Sequence, residues 1–412
     1  MKRIITLTAV LVFCITAAAS AAETLKEMFT QGTVKGSIKM LDYTRDFDTA
    51  NTRNDIALGG TLYYHTASLF GISLGTAFST TNDLGSDDDD TVYSVLGADE
   101  NGNHKSVTRE QEYFVQGDWF KTTVKYGAQE INTPYMNTDD VRMMPRTYKG
   151  LTVVNNSLNN ITLAAYYITD SMGWNDENFV SISEAVAKEP GRATDIDEDK
   201  DLIILNAAYK LPTQIVKGDI QAWYYTIDDI YNISYLKASL NTDLGSANVY
   251  FVPCLLYQKS QGDELNGELD AGQAGFKLGV KIAGFDVQGA YSRSGDDGMI
   301  TPWGHDQIIG QQVMISGTRG DEDALGLKVG YDFTKIGLTG LSSYVWYAYY
   351  DVDETDTVKD TEETDINIQY AFSGSLDGLG LRFRYAAIDV HDGDDYTDTR
   401  MYLTYNFSFT GI

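Results

Sequence analysis

The segment Tyr126 to Val153 is the densest mixture of charge between two strand-like runs. It holds adjacent acids, Asp139 and Asp140, the arginines Arg142 and Arg146, Lys149, and two prolines, Pro134 and Pro145. Such a cluster looks like an active site but contains no catalytic trio. A nucleophile elbow of the form GxSxG, an HExxH metal helix and a glycine-rich phosphate loop are absent from the sequence. His65, His104, His305 and His391 have no metal-ligand spacing with one another and read as structural or exposed. The spacing predicts no catalytic residues, no metal and no cofactor. What remains for the cluster is electrostatics, and its meaning depends on the elements around it.

The N-terminus sets the compartment. Met1-Lys2-Arg3 precedes an apolar stretch from Ile4 to Ala19, and Ala19-Ser20-Ala21 offers a small-residue cleavage site. Residues 1–22 are expected to be a signal peptide that is removed, leaving 23–412 as a single domain. Losing Lys2 and Arg3 takes the net charge from −28 to −30, which argues against nucleic acid as a partner. It also removes Cys14 and leaves Cys254 without an intrachain partner. Beyond the signal, no apolar run approaches 18 residues, so no spanning helix is expected. The chain is nonetheless rich in Tyr (28) and Gly (38), which suits a β-barrel crossing a membrane with alternating strands.

That alternation recurs along the chain. In LRFRYAAI, Leu381, Phe383 and Tyr385 oppose Arg382 and Arg384; in FKLGVKI, Phe276, Leu278 and Val280 oppose Lys277 and Lys281. Eighteen such strands are expected, near 32–40, 55–64, 70–79, 109–117, 119–127, 148–155, 159–169, 202–210, 215–226, 230–240, 246–258, 270–282, 284–293, 323–332, 341–351, 364–373, 378–389 and 398–409. Every second connection is short, Gly117-Asp118 and Ala283 among them, and most of the others are long and rich in Asp, Asn and Gly. Short turns alternating with long loops are the mark of an outer-membrane barrel, and eighteen strands enclose an aqueous channel. Counted from the N-terminus, Glu130 to Thr147 is the third external loop and Ser294 to Glu322 the seventh.

Strand parity places Lys35, Lys39, Lys121, Lys125, Arg382, Arg384 and Arg400 on polar, lumen-side faces. The first, seventeenth and eighteenth strands are neighbours once the barrel closes, so five of these cluster on one wall.

With this frame, "INTPYMNTDDVRMMPRTYKGLTV" resembles the third-loop segment of OprD-type outer membrane porins. "AYSRSGDDGMITPWGHDQIIGQQ", Ala290 to Gln312, resembles their seventh-loop segment. The resemblance implies inward-folding third and seventh loops, and a ladder of arginines and lysines that guides carboxylate-bearing solutes such as amino acids or organic acids. It makes Tyr135, Asp139, Asp140, Arg142 and Arg146 the candidates for the constriction, with Asp296, Asp297, Trp303 and Asp306 contributed by the seventh loop. It further implies outer-membrane lipid and lipopolysaccharide as surroundings, small solutes as cargo, and a homotrimer. The chain departs from the usual aromatic C-terminus, because Phe409 is followed by Thr410-Gly411-Ile412. Ser86 to Asp90 reads as a solvated external loop, with a divalent-cation bridge to lipopolysaccharide phosphate as the alternative. Two other functions compete: an outer-membrane barrel lipase, and a secreted calcium-dependent β-rich adhesin.

Overall fold

The computed structural model describes residues 22–86, 92, 94–100, 102–139, 141–189, 196, 198–353, 355 and 358–411. Residues 1–21, most of the expected signal peptide, lie outside the described residues, as do Asp140 and the acids of Asp87 to Asp90. The first nine barrel strands are β1 (Thr33–Phe47), β2 (Arg53–His65), β3 (Ile72–Asp83), β4 (Val107–Trp119), β5 (Thr122–Gln129), β6 (Thr147–Asn155), β7 (Ile161–Met172), β8 (Leu202–Lys210) and β9 (Lys217–Ile227). The other nine are β10 (Tyr231–Leu244), β11 (Ala247–Ser260), β12 (Asp270–Ile282), β13 (Phe285–Ser294), β14 (Asp323–Asp332), β15 (Leu341–Asp351), β16 (Thr361–Ala371), β17 (Leu379–Val390) and β18 (Tyr396–Thr410). Each pairs antiparallel with its sequence neighbours. β18 pairs with β1 from Thr33↔Thr410 to Phe47↔Tyr396, which closes the sheet. A two-residue strand, Val180–Ser181, adds to the end of β7.

The barrel is apolar on the outside. On β17, Leu381 and Phe383 face out and are 41% and 37% exposed, while Arg384 faces in at 8%. The same outward rows carry Leu58 and Leu62, Leu325 and Leu327, and Met401 and Leu403. So many exposed large apolar side chains have no place in water and suit lipid, which takes the outward half of each alternating strand. Outward tyrosines such as Tyr113, Tyr126, Tyr257, Tyr347 and Tyr405 supply amphipathic rings.

One end of the barrel is turned tightly. Phe70-Gly71, Phe120-Lys121 and Ala283-Gly284 each have φ positive at both residues, as two-residue hairpins of this hand require. This corrects one boundary. The β4–β5 turn is Phe120-Lys121, and Gly117-Asp118 lies inside β4, paired with β5. Lys121 is therefore in the turn at the barrel's short end and off the lumen wall. At the same end, the helix α1 (Leu25–Thr30) packs Met28 against Ala67, Leu69 and Leu74.

The other end holds the long connections, and several turn inward. A hydrophobic core forms inside the barrel, where Tyr135, Met136, Trp303, Ile308 and Ile309 from two loops meet wall residues such as Tyr148, Tyr225 and Tyr235. The helix α2 (Ile182–Ala187), in the loop after β7, adds Ile182 and Val186 to it.

Candidate functional site

The third loop leaves β5 at Gln129 and is held from its first residue. Glu130 N donates to the Glu112 carboxylate at 2.7 Å, and Tyr63 donates to the Glu130 carboxylate at 2.5 Å. Tyr135 then wedges against the wall, edge-on to Tyr225 (6.1 Å) and Tyr235 (5.3 Å), while its N–H donates to the Tyr225 hydroxyl. It is 2% exposed, and burial pushes its phenol well above the ordinary value. Tyr135 is thus an anchor and does not line an opening, a correction to its expected place at the constriction. At the loop's far end Arg109 of β4 is the clasp. Its guanidinium donates to Pro145 O, Gly173 O and Asp176 O at 2.6–2.7 Å, tying the third loop to the fourth.

Between these anchors lies the charge cluster. Trp174, from the fourth loop, donates to Asp139 O at 2.8 Å and lays its ring under both arginines, 3.6 Å from the Arg146 guanidinium carbon and 5.1 Å from that of Arg142. Asp139 sits at φ +40 and pairs with Arg146 at 3.4 Å. Arg142 also lies 5.2 Å from the Tyr43 ring of β1. Burial, and next the charge of Arg400, pull the Arg142 pKa down; the aromatic faces and phenols around it work the other way. Val141 O accepts from Tyr402 of β18, and Arg142 O from Lys39 of β1 at 2.8 Å. The third loop therefore spans from the β9–β10 wall to the β18–β1 wall. The second loop covers it, with Val92, Val95 and Leu96 packed on Met143 and Met144.

The seventh loop crosses the lumen as well. Trp303 is buried and donates to Ser171 of β7 at 3.2 Å. Asn137 N donates to Trp303 O at 2.9 Å, and the Tyr148 hydroxyl of β6 reaches both Asn137 O (2.7 Å) and Trp303 O (3.3 Å). Gly304 follows at φ +112, where an added Cβ would lie 2.4 Å from Asn137 Oδ1. The two loops thus dock as one body. Asp306 is fixed to the β10 wall by the Tyr235 hydroxyl (2.9 Å) and the Lys237 ammonium (2.6 Å). Beyond it, Val313 N and Met314 N donate to Glu363, and Gln312 N to Asp365, both of β16. Two expected members stay outside this body. Asp296 is exposed, and Asp297 accepts from Asp270 N at the start of β12, so both remain at the loop's base by the barrel rim. Trp303 bridges the loops from a buried position and offers no surface to a solute.

On the wall, Lys35, Lys39, Arg382 and Arg384 do share the lumen side of β1 and β17, and Arg382 donates to Asn367 of β16 at 2.7 Å. Lys125 lies four strands from β1, on β5, 4.1 Å from the centre of the Phe114 ring. Arg400 differs from expectation. It is 2% exposed and locked to Asp398 at 2.7 Å, a carboxylate that also takes Arg45, the Tyr43 hydroxyl and the Gln312 amide. Its charge is spent within the wall, where such a pair is held by its added hydrogen bonds.

Several residues of the site went unread in the sequence. Asp398 alternates in step with Arg400 and could have been found by the same parity. Lys237, Lys277 and Lys328 obey it too. Trp174, Arg109 and Tyr148 gave no local signal, since their partners are 11 to 155 residues away.

Comparison with known proteins agrees with this architecture. The family model described as outer membrane porin, OprD family, matches residues 30–409. No curated protein matches the chain by sequence. Among solved structures, Pseudomonas aeruginosa OccK9 (OpdG) superimposes with a TM-score of 0.83 at 22% identity, over 93% of this chain and 100% of that one. A BenF-like porin from Pseudomonas fluorescens Pf-5 also gives 0.83, at 16% identity over 93% and 100%. Acinetobacter baumannii OccAB3 gives 0.81, at 18% identity over 92% and 99%. These structures share the fold; the family match covers nearly the whole barrel, and with it the chain belongs to the OprD family of outer membrane porins.

Proposed function

We propose that this porin passes small hydrophilic solutes by passive diffusion and favours those bearing a carboxylate. The observation that carries the reading is the set of Lys35, Lys39, Arg382 and Arg384 on the lumen faces of β1 and β17, the two strands that flank β18, beside the Arg142 segment of the third loop. Fixed cations in a narrow passage with low-dielectric walls favour anions. The wider acidity of the chain, −28 in all, does not oppose this where it sits in loops and on the outer rim. Support comes from a relative of the same fold, Pseudomonas aeruginosa OpdK, whose solved structure is with vanillate, a carboxylate. Asp139, Arg142 and Arg146 shape the constriction as a rigid group on Trp174.

The test is the reversal potential in a planar bilayer under a potassium chloride gradient. Anion preference is expected, and it should fall in a Lys35→Gln, Arg382→Gln variant. A strong cation preference in the wild type would sink the reading. Removal of residues 1–22 on export is checked by N-terminal sequencing of the mature protein, and homotrimeric assembly by light scattering in detergent.

A further inference from the structure

The basic face of the lumen does not stop at β17. Lys237 of β10 points inward to Asp306. Lys277 of β12 alternates with the outward Phe276 and Leu278, and Lys328 of β14 with the outward Leu327 and Val329. The Lys328 ammonium rests over the rings of Tyr344 (4.0 Å) and Trp346 (4.5 Å), both from β15. Lys237 is neutralised by Asp306 at 2.6 Å. Lys277 and Lys328 make no hydrogen bond or ion pair among the described residues. The charges acting on Lys277 include Asp306 and Lys237; those acting on Lys328 include Lys277, Asp286, Asp365 and Arg384.

Register places the three lysines at one depth. Paired positions climb toward the loop end as strand number rises: Lys39 leads through Gly59 and Thr81 to Val107, the loop end of β4. That climb is the shear of a tilted barrel. Lys237 leads through Cys254 to Gly275, and Lys277 lies two residues back toward the turns. Lys277 leads through Ala290 to Gly326, and Lys328 again lies two residues back. Lys328 leads through Trp346 and Asp365 to Ala386, and Arg384 lies two residues back once more. Each step offsets the climb, so these cations form a belt across the middle of the barrel.

We propose that Lys277 and Lys328, flanked by Lys237 and Arg384, form a second anion site whose ligand is a dicarboxylate. Two ammoniums with no direct ion pair among the described residues stand two strands apart, about 10 Å at the backbone, on flexible stems that can converge. A single carboxylate would leave one of them bare in a wall of low dielectric; two carboxylates on a short chain satisfy both. The site rests on the reading of this channel as an anion path and adds a preference in the number of charges.

The experiment compares succinate with acetate, as potassium salts at neutral pH, by reversal potential in planar bilayers. Wild type is expected to favour succinate, and a Lys277→Gln, Lys328→Gln variant to lose roughly fivefold of that preference while keeping its preference for chloride over potassium. The Lys277→Arg, Lys328→Arg variant keeps both cations and should retain the succinate preference, which controls for altered folding. Anion selectivity without any succinate preference in the wild type, or a preference untouched by the glutamine variant, overturns this site alone. Cation selectivity in the wild type overturns the proposed function and this site with it.

Discussion

Tyr148 is the residue on which the two inward loops close. It is fully buried, and its hydroxyl donates to Asn137 O of the third loop at 2.7 Å and to Trp303 O of the seventh at 3.3 Å. Tyr148→Phe deletes that donor and leaves the ring's packing in place. Trp303 O keeps a second partner, the Asn137 N–H at 2.9 Å, so the main loss falls on Asn137 O. A buried acceptor left without its donor costs roughly 1–3 kcal/mol. With about 2 kcal/mol lost, the population with the loops undocked should rise by about thirtyfold. Two readouts follow. Hydrogen exchange at the Asn137 amide, whose N–H is the loop-to-loop bond, should speed up by that factor, because its opening is local and not global. Single-channel recordings should show more frequent substates, with the folded barrel still heat-modifiable on a gel. Exchange at Asn137 within twofold of the wild type, together with unchanged substates, would show that the loops are held by something other than this pin.

Three further outcomes are expected. Gly304→Ala sets a Cβ 2.4 Å from Asn137 Oδ1 at a backbone angle, φ +112, that L side chains rarely adopt; it should disturb the same docking by about 2 kcal/mol, read by the same exchange experiment. Trp174→Ala removes the ring beneath Arg142 and Arg146, and at about 1 kcal/mol per cation–π contact it should loosen the third loop, raise conductance and weaken ion selectivity together; unchanged conductance would refute the platform role. His305 carries a pH dependence. Burial first, then Arg146 and Lys277, hold its imidazole below 6.5, and Asp139 and Asp306 offset this in part. The folded state then binds fewer protons than the unfolded one below about pH 6.5, so docking is fully supported above that pH and weakens as the pH falls through it. Protection of the loop amides, taken relative to the intrinsic exchange rate at each pH, should be lower at about pH 5.5 than at about pH 7.5, and His305→Gln should abolish the difference.

Much of the barrel is legible in the amino-acid sequence. All eighteen strands are present near where the period-two alternation puts them, with the first running on from residue 40 to Phe47, because a strand with lipid on one face and water on the other must write that alternation into its residues. The third and seventh loops are bounded almost to the residue, since long polar connections contrast with the tight turns opposite. The β4–β5 turn was misplaced because Phe-Lys carries none of the Asn or Gly that usually marks such a hairpin, and Lys121 was misplaced with it.

The constriction is much less legible. Composition and parity could say that Arg142, Arg146, Arg400 and Trp303 were unusual, but not what each would touch. Arg400 is tied down by Asp398 and by the Tyr43 hydroxyl on the neighbouring strand; Trp303 and Tyr135 turn into the core; Asp296 and Asp297 stay at the rim. Sequence alone determined the strands, their number and the faces of their side chains, because alternation and turn length are local properties of the chain. Which cations remain free in the passage was decided by tertiary structure. A charge is spent or kept according to which partners the folded barrel brings within reach, from Asp398, two residues from Arg400, to Asp306, on a loop far in sequence from Lys237, and no local pattern says which of those pairs will form.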